Sequence, residues 1–281
     1  MLNNDVQLWL KLAAMTRLDR ATRFFQRRKH ADQFKSVETV CLFIGYPRSG
    51  HSLVGSVVDA HPNAVVSHRA DAVKYWKAGY AENDVFYLML KNSRRFAKSG
   101  RELTGYAYPI PGRWQGDCET LKVIGDQEAR ATTHLLGRDH DFLNRLLKLE
   151  RARVAFVHVI RNPFDNISTW AERSRTGLPY NVERYFELCE YVSEIKKRTP
   201  GSRVLDVRHE RFISEFDSGL RRVTSFLGLA ESAEFTKACS SIVRTSPNLS
   251  RHRQPWTPAL IDDVQKRMSR FDFLQGYSFD A

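Results

Sequence analysis

Short apolar runs rich in β-branched residues alternate along this chain with longer segments whose apolar residues recur at helical spacing. A nearly continuous apolar run is typical of a strand that is buried on both faces of a parallel sheet. Strands that alternate with helices predict an α/β fold, a three-layer α/β/α sandwich with a mainly parallel central sheet. The predicted strands are 40–44, 64–67, 120–126, 154–160 and 202–208. The predicted helices are 51–60, 73–96, 133–149, a helix opening at 164, 182–197, 220–227 and 258–270.

The first strand leads into a glycine-bounded loop and then a helix. Gly45, Gly50 and Ser52 match the phosphate-binding pattern GxxxxGK[ST], but His51 stands at the lysine position. Arg48 supplies the positive charge instead, with a planar set of donors that suits a phosphate or sulfate. Loop N–H groups and the helix N-terminus favour an anion at this point. The predicted anion site comprises Pro47, Arg48, Ser49, Gly50, His51 and Ser52.

A second anion site is predicted after another strand. The run 154–160 ends at Arg161, and Ser168 and Thr169 follow seven and eight residues later. Two helical turns cover about seven residues, so one of these hydroxyls can face the strand end. Within the run itself, His158 is interpreted as a core histidine. One ligand with phosphates at two ends of a nucleoside would engage both sites.

Three motifs in this order resemble the sulfotransferase family over roughly residues 37–281. GYPRSGHS resembles the family's 5′-phosphosulfate loop, and VIRNPFDNIST resembles its 3′-phosphate motif. VLDVRHERFI is similar to a strand end that helps to hold adenine, with His209 where tyrosine usually stands. The resemblance implies the P-loop-like sulfotransferase fold and a 3′-phosphoadenosine-5′-phosphosulfate (PAPS) donor, with adenosine 3′,5′-diphosphate (PAP) as product. It also implies no metal, and in-line sulfuryl transfer to a hydroxyl or amine.

The same resemblance suggests roles for further residues. Arg48 would stabilise the transferring group, and Arg251 or Arg253 would close over the 3′-phosphate. VVDAHPN is similar to the tyrosylprotein and carbohydrate branches, whose catalytic acid position falls at His68 here. His68 is therefore the first candidate for the general base, because imidazole titrates near neutral pH. The competing candidates are Asp126 and His51.

Composition restricts the remaining possibilities. The 281 residues are 42% hydrophobic with a net charge of +12, which suits one large domain and an anionic ligand. We expect a basic amphipathic helical extension over 1–36 and a single domain over 37–281. Four well-separated cysteines argue against a zinc site or disulfide framework. With no apolar run of about 18 residues and no signal peptide, a cytoplasmic protein without a membrane span is expected.

Two other functions remain open at this stage. A nucleotide kinase or NTPase would use the same loop with magnesium held by Asp126, although the loop lysine is missing. A non-enzymatic nucleic-acid-binding module would explain the charge, but no nucleic-acid-binding motif is found. For the sulfotransferase, we expect a soluble small-molecule acceptor and no nucleic-acid partner. The predicted acceptor walls are Trp76, Tyr106, Tyr108, Trp114 and Tyr180.

Overall fold

A five-stranded parallel sheet forms the centre of the molecule. The computed structural model describes residues 31–103, 106–244 and 246–280. Along the sheet the strand order is β2-β5-β1-β6-β7, and every pairing in it is parallel. A separate two-stranded hairpin consists of β3 and β4. The strands are β1 Thr39–Gly45, β2 Ala64–Ser67, β3 Glu102–Leu103, β4 Tyr106–Ala107, β5 Val123–Asp126, β6 Arg153–Ile160 and β7 Val204–Arg208.

Helices cover both faces of this sheet. Alternate residues of β1 enter different cores: Leu42 and Ile44 pack on one face, and Cys41 and Phe43 on the other. The predicted three-layer α/β fold with its parallel sheet is therefore confirmed. The α-helices are α1 His51–Asp59, α2 Ala72–Lys77, α3 Glu82–Lys98, α4 Ala129–Arg138, α5 His140–Leu146, α6 Pro163–Ser174, α7 Leu178–Arg198, α8 His209–Ser214, α9 Phe216–Leu227, α10 Ala233–Ser240 and α11 Pro258–Met268.

Two predicted helices are each divided in the structure. The segment 73–96 forms α2 and α3, separated at Gly79, whose φ is +82°. The segment 133–149 forms α4 and α5, and the break lies at Asp139. The Asp139 carboxylate accepts a hydrogen bond from the Phe142 N–H (2.9 Å), so it caps a new helix where a continuous one was predicted. In addition, Tyr106 and Ala107, which lie outside the predicted strands, form β4.

His158 lies in the core, as predicted. Its ring is fully buried in β6 and bonds Asp206 (3.0 Å) and the Tyr46 hydroxyl (3.3 Å). Burial lowers its pKa to about 4, so the ring is neutral at pH 7. His158 therefore connects β1, β6 and β7 beneath the site without facing a ligand.

The predicted N-terminal extension lies almost wholly outside the described residues. At its end, residues 31–34 are helical, and Phe34 packs edge-on against Phe86 (5.7 Å between ring centroids) in the main core. The four cysteines, all within the described part, are free thiols. Within the described ranges no helix has the length and apolar character to cross a membrane.

Candidate functional site

A cavity of about 580 Å³ opens at the carboxyl edge of the sheet, where ligands of parallel α/β folds usually bind. It is lined by the loops after β1, β2, β6 and β7 together with parts of α6 and α7. None of the described residues that line it is an aspartate or glutamate. Such a cavity selects an anion. Seven arginines line it: Arg48, Arg69, Arg130, Arg161, Arg173, Arg184 and Arg244.

The loop after β1 has a backbone that ordinary side chains disfavour. The φ angles of Gly45, Arg48 and Gly50 are +119°, +68° and +95°. A Cβ atom built on Gly50 would lie 2.2 Å from Nδ1 of His209, so that position requires glycine. Gly50 immediately precedes α1, whose N-terminus has no side-chain cap. The first N–H groups of α1 therefore lack a side-chain partner at the cavity wall.

Two neighbouring helices fix the shape of this loop. The Gly45 N–H donates to the Thr133 hydroxyl on α4 (2.7 Å). With its amide oriented to satisfy both partners, Asn166 on α6 donates to the Pro47 carbonyl (2.9 Å) and accepts from the Ser49 N–H (3.2 Å). The strained conformation at Arg48 is thus held by buried hydrogen bonds on both sides.

Arg161 lies at the centre of the second predicted anion site and makes most of its hydrogen bonds. Its guanidinium donates to the Thr169 hydroxyl (3.1 Å), the Arg48 carbonyl (3.3 Å) and the Ser250 hydroxyl (3.2 Å). It also donates to the Asn248 carbonyl, while its Nε is buried without a partner among the described residues. Burial lowers the pKa of Arg161, although an arginine remains charged at pH 7. A buried cation with an unused donor is suited to an anionic ligand.

The structure separates the two candidate hydroxyls on α6. Thr169 lines the cavity beside Arg161 and bonds the Ser250 hydroxyl (2.7 Å). Ser168 is fully buried and accepts a hydrogen bond from the Trp256 indole (2.9 Å). Of the two alternatives, Thr169 therefore meets the geometric requirement, whereas the Ser168 side chain is bonded to Trp256 outside the described lining.

Arg251 and Arg253 do not line the cavity. Arg251 is buried in an ion pair with Asp165 (2.6 Å), which also accepts from the Arg251 N–H (2.8 Å). Arg253 is half exposed and contacts Asn248 (2.9 Å) and Glu172 (3.5 Å). Each of the two arginines is therefore paired with a carboxylate, and its closure over a phosphate stays a prediction. The Asp165 pair anchors the segment that brings Asn248 and Ser250 to Arg161.

The two histidines of the anion sites are neutral side chains in the wall. His51 and His209 both line the cavity, and Ser49 Oγ lies 3.3 Å from Nδ1 of His51. Burial, with the charge of Arg69 as the next cause, lowers the pKa of His51 to about 3. Burial and then Arg161 lower the pKa of His209 to about 3. Neither ring adds a positive charge at neutral pH.

Two of the candidate bases, His68 and Asp126, are not among the described residues that line the cavity. His68 stacks on Phe96 (4.2 Å between centroids) and bonds Gln127 through Nδ1. Asp126 is fully buried and accepts hydrogen bonds from Ala70 N–H (3.0 Å), Ala72 N–H (2.9 Å) and the Ser67 hydroxyl (2.9 Å). Burial raises the pKa of Asp126 to about 6. Both residues shape the turn after β2, and neither is among the described lining residues, so the geometry disfavours them as bases.

Of the aromatic residues predicted to wall the acceptor site, some line the cavity and others do not. Tyr106 and Tyr108 line the cavity, and Arg244 lies over the Tyr106 ring (4.7 Å). Trp76 does not wall the cavity, because it packs in the core against Phe86 (6.3 Å). Trp114 and Tyr180 are surface-exposed and are likewise absent from the described lining. The acceptor walls expected at these three positions are not found there.

Sequence reasoning missed several residues of the site. Asn166 holds the loop, and Glu210 accepts from the Asn162 N–H (2.8 Å) and the Tyr277 hydroxyl (2.8 Å) to fix the end of β6. Asn166 and Glu210 both lie inside recognised motifs, close in sequence to Arg161 and His209 respectively. That closeness along the chain was the signal that could have identified them. The lining arginines of α4, α6 and α7 carried no such signal. They reach the cavity only through helix packing.

Comparison with solved structures identifies sulfotransferases as similar folds. STF1 from Mycobacterium tuberculosis H37Rv is 13% identical, with 96% of this chain and 85% of that chain covered and a TM-score of 0.53. STF9 from Mycobacterium avium is 12% identical, with 89% and 81% covered and a TM-score of 0.50. No family model matches the sequence, and no curated protein does. At these identities the likeness concerns the fold alone, and the P-loop-like sulfotransferase fold implied by the motifs is confirmed.

Proposed function

We propose that this protein is a sulfotransferase that moves a sulfuryl group from PAPS to a hydroxyl or amine of a small-molecule acceptor, releasing PAP. One observation carries the proposal. Arg48, in the loop before α1, and Arg161, at the end of β6, line the same cavity, and the Arg161 guanidinium lies 3.3 Å from the Arg48 carbonyl. A nucleoside with phosphates at both its 3′ and 5′ positions can engage two adjacent arginine sites of this kind.

The described lining residues fit such a donor. Arg48, Ser52 and the N-terminus of α1 would hold the 5′-phosphosulfate, since the helix dipole and its uncapped end favour negative charge. Arg161 and Thr169 would hold the 3′-phosphate, for which the unpartnered Nε of Arg161 offers a donor. His209, against Gly50, would lie along the nucleoside. No carboxylate in the described lining opposes this charge.

The chain's contribution to the reaction is mainly electrostatic. The donor supplies an activated sulfuryl group, whose sulfur forms a bond to the acceptor oxygen or nitrogen while its bond to the bridging oxygen of the 5′-phosphate breaks. Arg48 and the N-terminus of α1 would stabilise the negative charge that develops on that bridging oxygen. Because Thr133 and Asn166 already hold the backbone of the loop that carries Arg48, little reorganisation of that loop is needed during the transfer.

The acceptor must lose one proton during the transfer. Of the three candidate bases, His51 is the one that lines the cavity, and its neutral imidazole can accept a proton. The low pKa of His51 reflects burial among cations, and a bound anionic donor would raise that pKa by opposing their charge. We therefore assign the base to His51, in place of His68 or Asp126.

The kinase alternative receives less support from the geometry. It needs Asp126 to reach a metal beside the phosphates, but both carboxylate oxygens of Asp126 are bonded within the turn after β2. Polynucleotide binding is also less well supported, because seven of the arginines line one cavity.

Transfer from radiolabelled PAPS tests the proposal directly. The protein is incubated with labelled PAPS and a panel of phenols, alcohols and amines, with and without EDTA. The proposal predicts labelled product and stoichiometric PAP, unchanged by the chelator. ATP consumption that requires magnesium, without PAPS consumption, would instead favour a nucleotide kinase or NTPase. Competition by polynucleotide but not by PAP would favour nucleic-acid binding.

A further inference from the structure

Four cavity arginines are not needed for the proposed donor. Arg69 follows β2, Arg130 lies on α4 after β5, Arg173 lies at the end of α6, and Arg184 lies on α7. In the sheet order β2-β5-β1-β6-β7, the elements after β2 and β5 are on the opposite side of β1 from Arg161. The ends of β2 and β6 are three strand spacings apart, roughly 14 Å. The cavity therefore extends well beyond the proposed 3′-phosphate site.

The positive charge of these four arginines is largely uncompensated. Arg69 pairs with Glu128 (3.2 Å). Among the described residues, no carboxylate lies within 4.0 Å of the guanidinium groups of Arg130, Arg173 or Arg184. Arg184 bonds the Tyr180 hydroxyl (2.9 Å) and lies over the Trp170 ring (5.5 Å). Three cations thus share one cavity without an ionic partner.

These arginines also influence one another and the donor site. The pKa of Arg48 is lowered by burial and, in addition, by the charges of Arg173 and Arg69. Burial is the main cause that lowers the pKa of His134 on α4, and the charges of Arg130 and Arg184 also contribute, so both arginines act on that one ring. Like charges at short range are unfavourable unless an anion lies between them. A neutral acceptor would leave that repulsion in place.

We propose that the acceptor carries an anionic group of its own, a carboxylate, phosphate ester or sulfate ester, bound by Arg130, Arg173 and Arg184. This inference rests on the proposed function and specifies its acceptor class. The planar guanidinium groups can bind such an oxyanion bidentately. Trp170, which also lines the cavity, lies beneath Arg184 and supports that guanidinium at the cavity wall. The reactive hydroxyl or amine then points toward the loop after β1.

Binding to the PAP-loaded protein tests this assignment without knowledge of the natural acceptor. The probes are benzoate, phenyl phosphate and phenyl sulfate, each compared with a neutral compound of similar shape: methyl benzoate for benzoate and phenyl methyl sulfone for the other two. Calorimetric titration should show at least one anion binding ten-fold or more tightly than its neutral counterpart. The three anions distinguish carboxylate, phosphate and sulfate recognition. Equal binding of anion and neutral counterpart, or no binding of any anion, would overturn the proposal.

Variants separate the acceptor side from the donor side. The double variant Arg130→Gln/Arg184→Gln, which spares the arginines whose charges act on Arg48, should lose at least ten-fold in affinity for the anion while its Kd for PAP changes less than about three-fold. Arg211→Gln, at an exposed arginine of α8 outside the described lining, is the matched control and should change neither. A double variant that loses PAP affinity instead would assign these arginines to the donor and refute the inference. Failure of the wild-type protein to bind PAP at all would refute the proposed function itself.

Discussion

The guanidinium of Arg161 donates a hydrogen bond to the main-chain carbonyl of Arg48 across 3.3 Å. Arg48 lies in the strained loop after β1, and Arg161 ends β6, the neighbouring strand. This bond joins the two anion sites that the sequence places 113 residues apart. A change at either arginine should therefore affect both ends of one ligand.

The contact between Gly50 and His209 predicts a sharp loss of PAP binding on Gly50→Ala. The added methyl would overlap the His209 ring, and an alanine at φ +95° is strained by about 1–2 kcal/mol. We expect the Kd for PAP to rise at least ten-fold, measured by calorimetry. Gly79→Ala is the control, since Gly79 has φ +82° with no heavy atom within 4 Å of the new Cβ. It should lose stability but keep its PAP affinity; equal PAP losses in the two variants would contradict the role of the Gly50–His209 contact.

The buried ion pair between Asp165 and Arg251 predicts a large stability loss on Asp165→Asn. The substitution leaves a buried guanidinium without its carboxylate, which typically costs about 3–5 kcal/mol. Urea unfolding measures this directly. PAP affinity should also fall, because the 248–250 segment contacts Arg161. Glu215→Gln, which breaks the exposed pair with Arg211, is the control and should cost about 1 kcal/mol or less. Similar costs in the two variants would show that the buried pair does not anchor the segment.

Assignment of the base to His51 predicts a catalytic defect with donor binding retained. His51→Gln should lower kcat by about a hundred-fold, the usual range for loss of a general base, with little change in the Kd for PAP. His68→Ala should keep kcat near the wild-type value, because its ring stacks on Phe96 and is not among the described lining residues. Steady-state kinetics with labelled PAPS compare the two variants. A large fall in kcat for His68→Ala alone would restore His68 as the base.

Four neutral histidines predict that stability falls as the pH drops below about 6.5. In the folded state the pKa values are about 3 for His51 and His209 and about 4 for His68 and His158, so the unfolded chain takes up protons first. The four histidines therefore stabilise the fold fully above their pKa in the unfolded chain, about 6.5. This stabilisation is lost as the pH falls from about 6.5 to about 3. Asp126, with a pKa of about 6, opposes this trend below pH 6.

Urea titrations at several pH values measure this dependence. His209→Gln should make the acidic slope shallower, whereas His252→Gln, at an exposed histidine, should leave it unchanged. A stability that is constant between pH 7 and pH 5 would contradict the prediction.

The sequence predicts the parts of this fold that depend on local pattern. Apolar runs identified the strands of the sheet, and the spacing from Gly45 to Ser52 and from Arg161 to Thr169 identified the two anion sites. Helix breaks were missed because they depend on local capping, as at Asp139. The orientations of Ser168, His68 and Arg251 were missed because each is decided by a distant partner: Trp256, Phe96 and Asp165. Long-range packing of that kind leaves no periodic signal.

The dissociation constants of PAP and AMP report whether Arg161 binds a 3′-phosphate, since the two nucleotides differ only by that group. In the wild-type protein PAP should bind at least thirty-fold more tightly than AMP, because Arg161 adds a charged hydrogen-bonded contact worth about 2 kcal/mol. In Arg161→Ala the two constants should become nearly equal, whereas Arg211→Ala should preserve the difference. Equal binding of PAP and AMP by the wild-type protein would contradict the account.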